Sequence, residues 1–153
     1  EIGMDRHMRH ERLQSCINYL LTVSQHEVFQ VFSEGLSQFN ITPGQYGVLR
    51  CLWEDGPCTP KEIAQTLRLE NSTISGVLDR MEKKDLIRRV TDENDRRSVR
   101  VVTTELGSSL KEDVLRVIGE LNDKVLSDLT SSQREALIRD LSLIGKVDMP
   151  EEG

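Results

Sequence analysis

Apolar residues recur at three- and four-residue intervals along most of the chain, which is the pattern of amphipathic α-helices. The first such segment covers residues 5–39, and its apolar series is Leu13, Cys16, Ile17, Leu20, Val28, Val31 and Phe32. Thr42 is a favourable N-cap and Pro43 suits a first helical turn, so a second helix is predicted over residues 43–54.

Two shorter helices follow. Thr59 and Glu62 form a capping box ahead of the first, which turns Ile63, Ala64 and Leu67 inward. Asn71 is the predicted N-cap of the second, which extends to about Lys84. Its inward series is Ile74, Val77, Leu78 and Met81, while its opening turn exposes Ser72, Thr73 and Ser75. Two helices joined by a few residues predict a helix-turn-helix, or equally a generic helical hairpin.

Residues 87–103 favour the helix-turn-helix over the generic helical hairpin. Two β-prone runs, residues 87–91 and 98–103, flank a loop rich in Asp and Asn, so a β-hairpin is predicted with Arg96 and Arg97 at its tip. A two-stranded hairpin needs support from other elements. An exposed arginine pair on such a ribbon suits DNA phosphates or a minor groove. The order of the elements therefore predicts a winged helix-turn-helix.

Thr104 caps a long predicted helix over residues 105–129, in which Gly107 and Gly119 indicate a bend or a close approach of another helix. A last helix begins at Ser131 or Ser132 and reaches about Lys146. The fold class is therefore mainly α, with six helices and a small β-hairpin wing.

Charge divides unevenly along the 153 residues. The net charge is −6, yet residues 61–100 contain ten Lys or Arg against eight Asp or Glu, so the predicted DNA-reading segment is locally positive and the remainder is acidic. The chain has no apolar run of membrane-spanning length. Its N-terminus is polar and does not resemble a signal peptide. We expect a cytoplasmic protein of one domain without membrane contact.

The sequence gives little indication of disulfides, metal or cofactor sites, or catalysis. The three cysteines show no CxxC pairing, and His7 with His10 supplies only half a metal site, so neither a disulfide framework nor a metal nor another cofactor is expected. The chain lacks a nucleophile–base motif, a phosphate loop and paired catalytic carboxylates, which argues against an enzyme.

The chain resembles the MarR family of winged helix-turn-helix regulators. The resemblance rests on residues 41–46, 71–82, 86–89, 95–99 and 103–107. It implies a homodimer formed by residues 5–39 and 104–147, with residues 41–103 as the DNA-binding region. It also implies a pseudo-palindromic operator in double-stranded DNA, repression as the commoner action, and release by a small-molecule effector. A winged-helix module for protein assembly, without DNA binding, is the alternative from another class.

The resemblance also implies residue roles. Arg97 would enter the minor groove and Asp95 would orient it, since two-residue spacing places both on one face of an extended strand. Arg96 would be a secondary phosphate contact. The implied contacts of the reader helix are Ser72, Thr73 and Ser75 in the major groove, with Arg80 as a phosphate or structural partner. Gly76 departs from the larger polar residue that many members have there.

Two effector hypotheses remain open. The first is an aromatic ligand bound between helices, in a pocket lined by Tyr19, His26, Phe29, Tyr46, Cys51 and Trp53. The second is oxidation of Cys16, because residues 14–16 and 52–54 are similar to the organic-peroxide-sensing group of the family. Against the second, Cys16 falls on the apolar face of the predicted first helix, where a buried thiol is expected.

Overall fold

The computed structural model describes residues 12–150, which form seven α-helices and one antiparallel hairpin. The helices are α1 (Ile17–Leu36), α2 (Pro43–Asp55), α3 (Pro60–Leu67), α4 (Asn71–Lys83), α5 (Glu105–Ser109), α6 (Lys111–Val125) and α7 (Ser131–Gly145). Strands β1 (Ile87–Thr91) and β2 (Val99–Thr103) lie between α4 and α5. The predicted winged helix-turn-helix is confirmed. Six predicted helices become seven because the segment after Thr104 is interrupted at Leu110, which separates α5 from α6.

Three of the predicted N-caps explain where the helices begin. Thr42 and Gln45 exchange two hydrogen bonds, of 3.2 and 3.1 Å, in a capping box at the start of α2. Thr59 accepts a hydrogen bond from the Glu62 backbone N–H (3.1 Å), which is one of the two bonds of the predicted box. Thr104 accepts from the Gly107 N–H in the same way (3.1 Å). These bonds satisfy N–H groups that have no partner within the helix.

The cap of α4 differs from the prediction. Glu70 occupies the N-cap position without a side-chain bond, and Asn71 is the first helical residue.

The first helix is shorter than predicted. It begins at Ile17, after a 3₁₀ turn at Leu13–Ser15, and Cys16 is its exposed, extended N-cap. The prediction that Cys16 lies on a buried helical face was therefore wrong, because the helix begins only at the next residue, Ile17. The start of the predicted segment, with His7 and His10, lies outside the described residues.

The core lies mainly beneath the helix-turn-helix. Buried side chains from α2, α3, α4 and the hairpin pack in one cluster, and α6 extends it along α1; the largest fully buried members are Leu36, Leu49, Ile63, Ile74, Leu78, Met81 and Ile87. Another segment does approach Gly107 closely, but it is not a helix: a Cβ there would lie 2.2 Å from the carbonyl oxygen of Leu86, which lies between α4 and β1. At Gly119 the corresponding position has no neighbour within 4 Å among residues 12–150, apart from the adjoining residues and backbone of α6 itself, so no close approach is found there.

The wing has the support that an isolated hairpin lacks. Its strands pair in register from Ile87 with Thr103 to Thr91 with Val99. Cys58, in the loop between α2 and α3, adds two backbone hydrogen bonds to Val101, of 3.2 and 2.7 Å. The base of the wing is thus fixed to the helix-turn-helix. None of the described helices is long and apolar enough to cross a membrane.

Candidate DNA-binding surface

An open groove of about 660 Å³ separates the reader helix α4 from the wing. It contains three cations from three different elements: Lys61 at the start of α3, Arg89 on β1 and Arg97 at the wing tip. The remaining lining is polar or apolar; its polar members are Thr59, Asn71, Ser75, Ser98 and the Asp79 carboxylate, which pairs with Arg89. Positive charge and hydrogen-bond donors therefore converge on one concave face.

The predicted hydroxyl face of α4 is present. Ser72, Thr73 and Ser75 are exposed, while the inward series is buried as predicted. Arg80 folds back over Gly76: a Cβ at Gly76 would lie 3.4 Å from the Arg80 guanidinium Nη1. Arg80, four residues further along the same helix face, thus places its guanidinium beside the space that a larger residue at position 76 would occupy.

The geometry at the wing tip corrects the expected pairing of Asp95 and Arg97. The segment between the strands is a turn rather than an extended strand, so two-residue spacing does not place the two side chains side by side. The Asp95 carboxylate instead accepts a hydrogen bond from the backbone N–H of Arg97 (3.0 Å). Asp95 therefore positions the backbone from which Arg97 projects. Arg96 and Arg97 are both exposed.

Asp92 closes the same loop at its base. Its carboxylate accepts from the Asn94 backbone N–H (3.0 Å) and from Arg100 Nε (3.2 Å). The Asn94 N–H first, and then the Arg100 guanidinium, hold the pKa of Asp92 below its usual value. The Asp92 N–H also donates to the Ser98 carbonyl (2.9 Å). The tip is thus held by hydrogen bonds before any DNA is present.

Arg89 is a functional candidate that sequence reasoning missed. Its Nη1 lies 2.8 Å from Asp79 Oδ1 and 3.3 Å from Glu82 Oε2, and its backbone N–H donates to Glu82 Oε1 (3.1 Å). These contacts join β1 to α4 and partly neutralise Arg89. The three-residue spacing of Asp79 and Glu82, which places two carboxylates on one helix face, was the available signal.

A second basic cavity of about 390 Å³ lies on the other side of α4. Arg80, Lys83 and Lys84 line it together with Thr42 and Gln45 from the start of α2. Lys84 Nζ donates to the Asn40 carbonyl (2.8 Å) and to Gln45 Oε1 (2.9 Å), so this lysine joins the end of α4 to α2.

The residues of the predicted effector pocket have separate surroundings in the protomer. Phe29 lines a cavity of about 280 Å³ where the end of α1 meets the start of α2, whereas His26 is exposed on α1. Tyr46 and Trp53 are half-buried against the core. Trp53 Nε1 donates to the Gly107 carbonyl (3.1 Å), which joins α2 to α5. Tyr19 is half-buried on α1.

The three thiols also differ in their surroundings. Cys16 is exposed, whereas Cys51 and Cys58 are buried and line a common cavity of about 250 Å³. Burial, reinforced by the nearby Cys58 thiol, raises the pKa of Cys51 to about 11. Burial likewise raises the pKa of Cys58. Within residues 12–150 no group of three or more His, Cys, Asp or Glu side chains is arranged to hold a metal ion.

Comparison with known proteins gives one consistent result. The MarR family model matches residues 41–99. The organic hydroperoxide resistance transcriptional regulator of Bacillus subtilis (strain 168) is 35% identical over 118 residues, covering 77% of this chain and 80% of that protein. The HTH-type transcriptional regulator MgrA of Staphylococcus aureus is 32% identical over 145 residues, covering 94% of this chain and 92% of that protein.

Solved structures agree with the sequence comparison. A probable transcriptional regulator from Pseudomonas aeruginosa superposes with a TM-score of 0.82 at 28% identity, over 87% of this chain and 99% of the other. A MarR variant from E. coli, complexed with operator DNA, superposes with a TM-score of 0.78 at 25% identity, over 84% of this chain and 92% of the other. The chain therefore belongs to the MarR family of DNA-binding transcriptional regulators.

Proposed function

We propose that this protein is a repressor that binds a pseudo-palindromic operator as a homodimer and is released by an effector. The observation that carries the DNA-binding part is the groove between α4 and the wing, where Lys61, Arg89 and Arg97 converge beside exposed hydroxyls. Cations from separate rigid elements are suited to a DNA backbone that passes between them.

In this proposal α4 lies in the major groove. Ser72, Thr73 and Ser75 contact base edges or bridging waters, since hydroxyls accept and donate with little steric demand. The wing reaches the adjacent minor groove through Arg97, and Arg96 contacts a phosphate. The hydrogen-bonded turn at Asp92 and Asp95 supports this role, because a tip that is already ordered loses little entropy on binding.

The homodimer is supported by apolar surface on the terminal helices. In the protomer α7 buries no residue and α1 buries only Leu36. The large exposed apolar side chains include Ile17, Leu21 and Phe29 on α1, Leu13 in the turn before it, and Ile138, Leu141, Leu143 and Ile144 on α7. A helix with an exposed apolar face needs a partner element, and a second copy supplies the same two faces by symmetry.

Binding to the chain's own promoter DNA over a range of salt concentrations tests the first part. A regulator loses affinity steeply as salt rises, because each phosphate that is neutralised releases counterions. Absence of a specific complex at every salt concentration would favour the protein-assembly alternative.

Sedimentation equilibrium tests the second part. We expect the wild type to be dimeric and Leu141→Glu to dissociate, because the variant places a charge in the apolar interface. Val90→Glu is the matched control, since Val90 is 41% exposed on the wing and Leu141 is 41% exposed on α7. Equal dissociation of both variants, or a monomeric wild type, would contradict the proposed interface.

The cavity beside Phe29 supports an aromatic acid as the effector. It combines the Phe29 ring with the Lys84 ammonium, and it is also lined by Ser33, whose buried hydroxyl has no hydrogen-bond partner within residues 12–150. An aromatic ring, a cation and an unsatisfied hydroxyl together match a benzoate-like ligand. Benzoate is expected to release the wild type from DNA but not the Phe29→Ala variant.

A second effector is favoured by the exposure of Cys16 at the start of α1 and by the similarity to a hydroperoxide-resistance regulator. In this version the Cys16 sulfur takes one oxygen from an organic hydroperoxide and becomes a sulfenic acid, while the hydroperoxide leaves as an alcohol. Cumene hydroperoxide would then release the wild type but not Cys16→Ser. Equal release of both proteins would exclude the redox version.

A further inference from the structure

We propose that Arg68 is a positioning residue that joins the DNA-reading helices to the C-terminal helix α7 and thereby sets the half-site spacing that the protein accepts. This inference rests on the proposed function, because it requires a DNA-binding homodimer. The residue pattern of the helix-turn-helix does not indicate this contact of Arg68, because its partners lie 77 and 78 positions further along the chain.

The contact joins two helix ends. Arg68 is the C-cap of α3, and its guanidinium donates from Nη1 to the Gly145 carbonyl and from Nη2 to the Lys146 carbonyl, the latter at 2.7 Å. Both acceptors lie at the C-terminal end of α7, where Lys146 is itself the C-cap. A planar guanidinium presents two parallel N–H donors, which is the geometry that two successive carbonyl groups require.

Electrostatics favours this pairing. The last carbonyl groups of a helix have no partner within the helix, and they carry the negative end of its dipole. No Lys or Arg lies in the last turn of α7 itself. Lys146 adds a cation at the C-cap, and the Arg68 side chain supplies from α3 the hydrogen-bond donors for the Gly145 and Lys146 carbonyl groups.

The contact lies where it can connect α7 to the DNA-reading helices. Helix α7 buries no residue in the protomer, and Arg134 joins its other end to α6 through Asp123 and the Leu126 carbonyl. Arg68 is thus the hydrogen-bonding link between the C-terminal end of α7 and the helix-turn-helix. If the apolar face of α7 packs on a second copy, this link transmits the geometry of the dimer to α3 and α4.

The backbone at Arg68 determines which substitution tests its side chain. Arg68 has a φ of 54°, in the left-handed region that favours glycine or asparagine at a helix end. An arginine retains some backbone strain at this position, which a glycine does not. The same property makes a clean test available, because Arg68→Gly removes the side chain while it relieves the backbone.

Operator spacing is the first measurement. Wild-type protein first selects its preferred sites from a random DNA library, and the two half-sites are then moved apart by single base pairs. We expect the wild-type preference for the selected spacing to fall about tenfold in Arg68→Gly, because two hydrogen bonds from a charged donor are lost. Arg68→Lys should restore part of the preference, since it keeps the charge and can reach one carbonyl.

Lys146→Gly is the matched control. It also removes a cationic side chain from a left-handed helix C-cap, with a φ of 52°, but leaves both acceptor carbonyls in place. This variant should keep the wild-type spacing preference. Lys146→Gly should melt at or above the wild-type temperature, because it relieves the backbone and keeps both acceptors. Arg68→Gly relieves the backbone but loses two hydrogen bonds, so its melting curve is used to verify that it is folded at the assay temperature.

The salt dependence of binding separates positioning from phosphate contact. Loss of a phosphate contact lowers the slope of log K against log salt by about 0.9 per phosphate. Loss of the Arg68 link leaves the slope unchanged. A lower slope with unchanged spacing preference in Arg68→Gly would overturn the inference and assign Arg68 to the DNA backbone.

Amide hydrogen exchange without DNA tests the link itself. We expect faster exchange at the C-terminal end of α7 in Arg68→Gly than in the wild type, and no such increase in Lys146→Gly. Unchanged exchange would overturn the inference whether or not the protein binds DNA. If exchange is faster in Arg68→Gly but the wild type binds no operator, the contact between Arg68 and α7 is supported and the proposed function is contradicted. The proposed role of Arg68 in half-site spacing is then refuted as well.

Discussion

Replacing Arg97 by Ala is the most direct test of the wing. Within residues 12–150 the hydrogen bond formed by Arg97 runs from its backbone N–H to Asp95, and it does not involve the guanidinium. The side chain is exposed and lines the groove beside α4. The variant therefore removes a charge and a set of donors from the DNA-facing surface while the turn that carries them keeps its backbone bonds.

The size of the effect follows from this exposure. No buried contact is lost, so folding stability should change by less than about 0.5 kcal/mol, as for an ordinary surface substitution. A single arginine contact with DNA contributes about 1–3 kcal/mol, which corresponds to a loss of roughly 5- to 150-fold in affinity for each half-site that the dimer contacts. If the Arg97 guanidinium of each wing displaces about one counterion from the minor groove, the salt slope should decrease by about 2 for a dimer.

Fluorescence anisotropy with a labelled operator, repeated at several salt concentrations, measures both quantities. Sedimentation of the same samples verifies that the oligomeric state is unchanged. Arg116→Ala is the matched control: Arg116 lies on the exposed face of α6, paired with Asp113 (3.7 Å) and Glu120 (3.2 Å), and its removal changes the net charge equally. Equal affinity of Arg97→Ala and the wild type would refute the role of the wing, as would an equal loss in both variants.

Three further results are expected. Gly107→Ala should lower the free energy of unfolding by about 1–3 kcal/mol in urea titrations, because its Cβ would lie 2.2 Å from the Leu86 carbonyl oxygen. Iodoacetamide should label exposed Cys16 first, and labelling of Cys51 should accelerate only as the pH rises toward its pKa of about 11. The hydrogen bonds of Asp92 in the wing should persist above its unfolded pKa of about 3.9 and be lost as the pH falls through its lower folded pKa, as followed by the NMR shift of the Asn94 amide.

Controls for these results use neighbouring features of the chain. Gly119→Ala has open space around the added Cβ and should be neutral or stabilising, so an equal loss at both glycines would contradict the close approach at Gly107. Labelling of Cys51 as fast as Cys16 at neutral pH would contradict its burial. An Asn94 amide shift that already changes well above pH 4 would contradict the lowered pKa of Asp92.

Local sequence determined the parts of this protein that depend on near neighbours. Thr42, Thr59 and Thr104 cap the helices at the predicted positions, because an N-cap needs only a hydroxyl and a backbone N–H three residues away. The buried face of α4 followed from helical periodicity, and the hairpin followed from two β-prone runs around a turn. Together with the resemblance, these were sufficient for the family and for the winged helix-turn-helix fold.

Contacts between distant residues were decided only by tertiary structure. The chain offered several carboxylates near Arg89, and only the packing of β1 on α4 selects Asp79 and Glu82. At the wing tip the turn geometry assigns Asp95 to the Arg97 backbone, where an extended strand would have aligned their side chains. Arg68 meets α7 because two helix ends come together in space, and no periodicity encodes a contact across 77 residues. Sequence periodicity records which face of an element is buried, whereas the partner on that face depends on how all the elements pack.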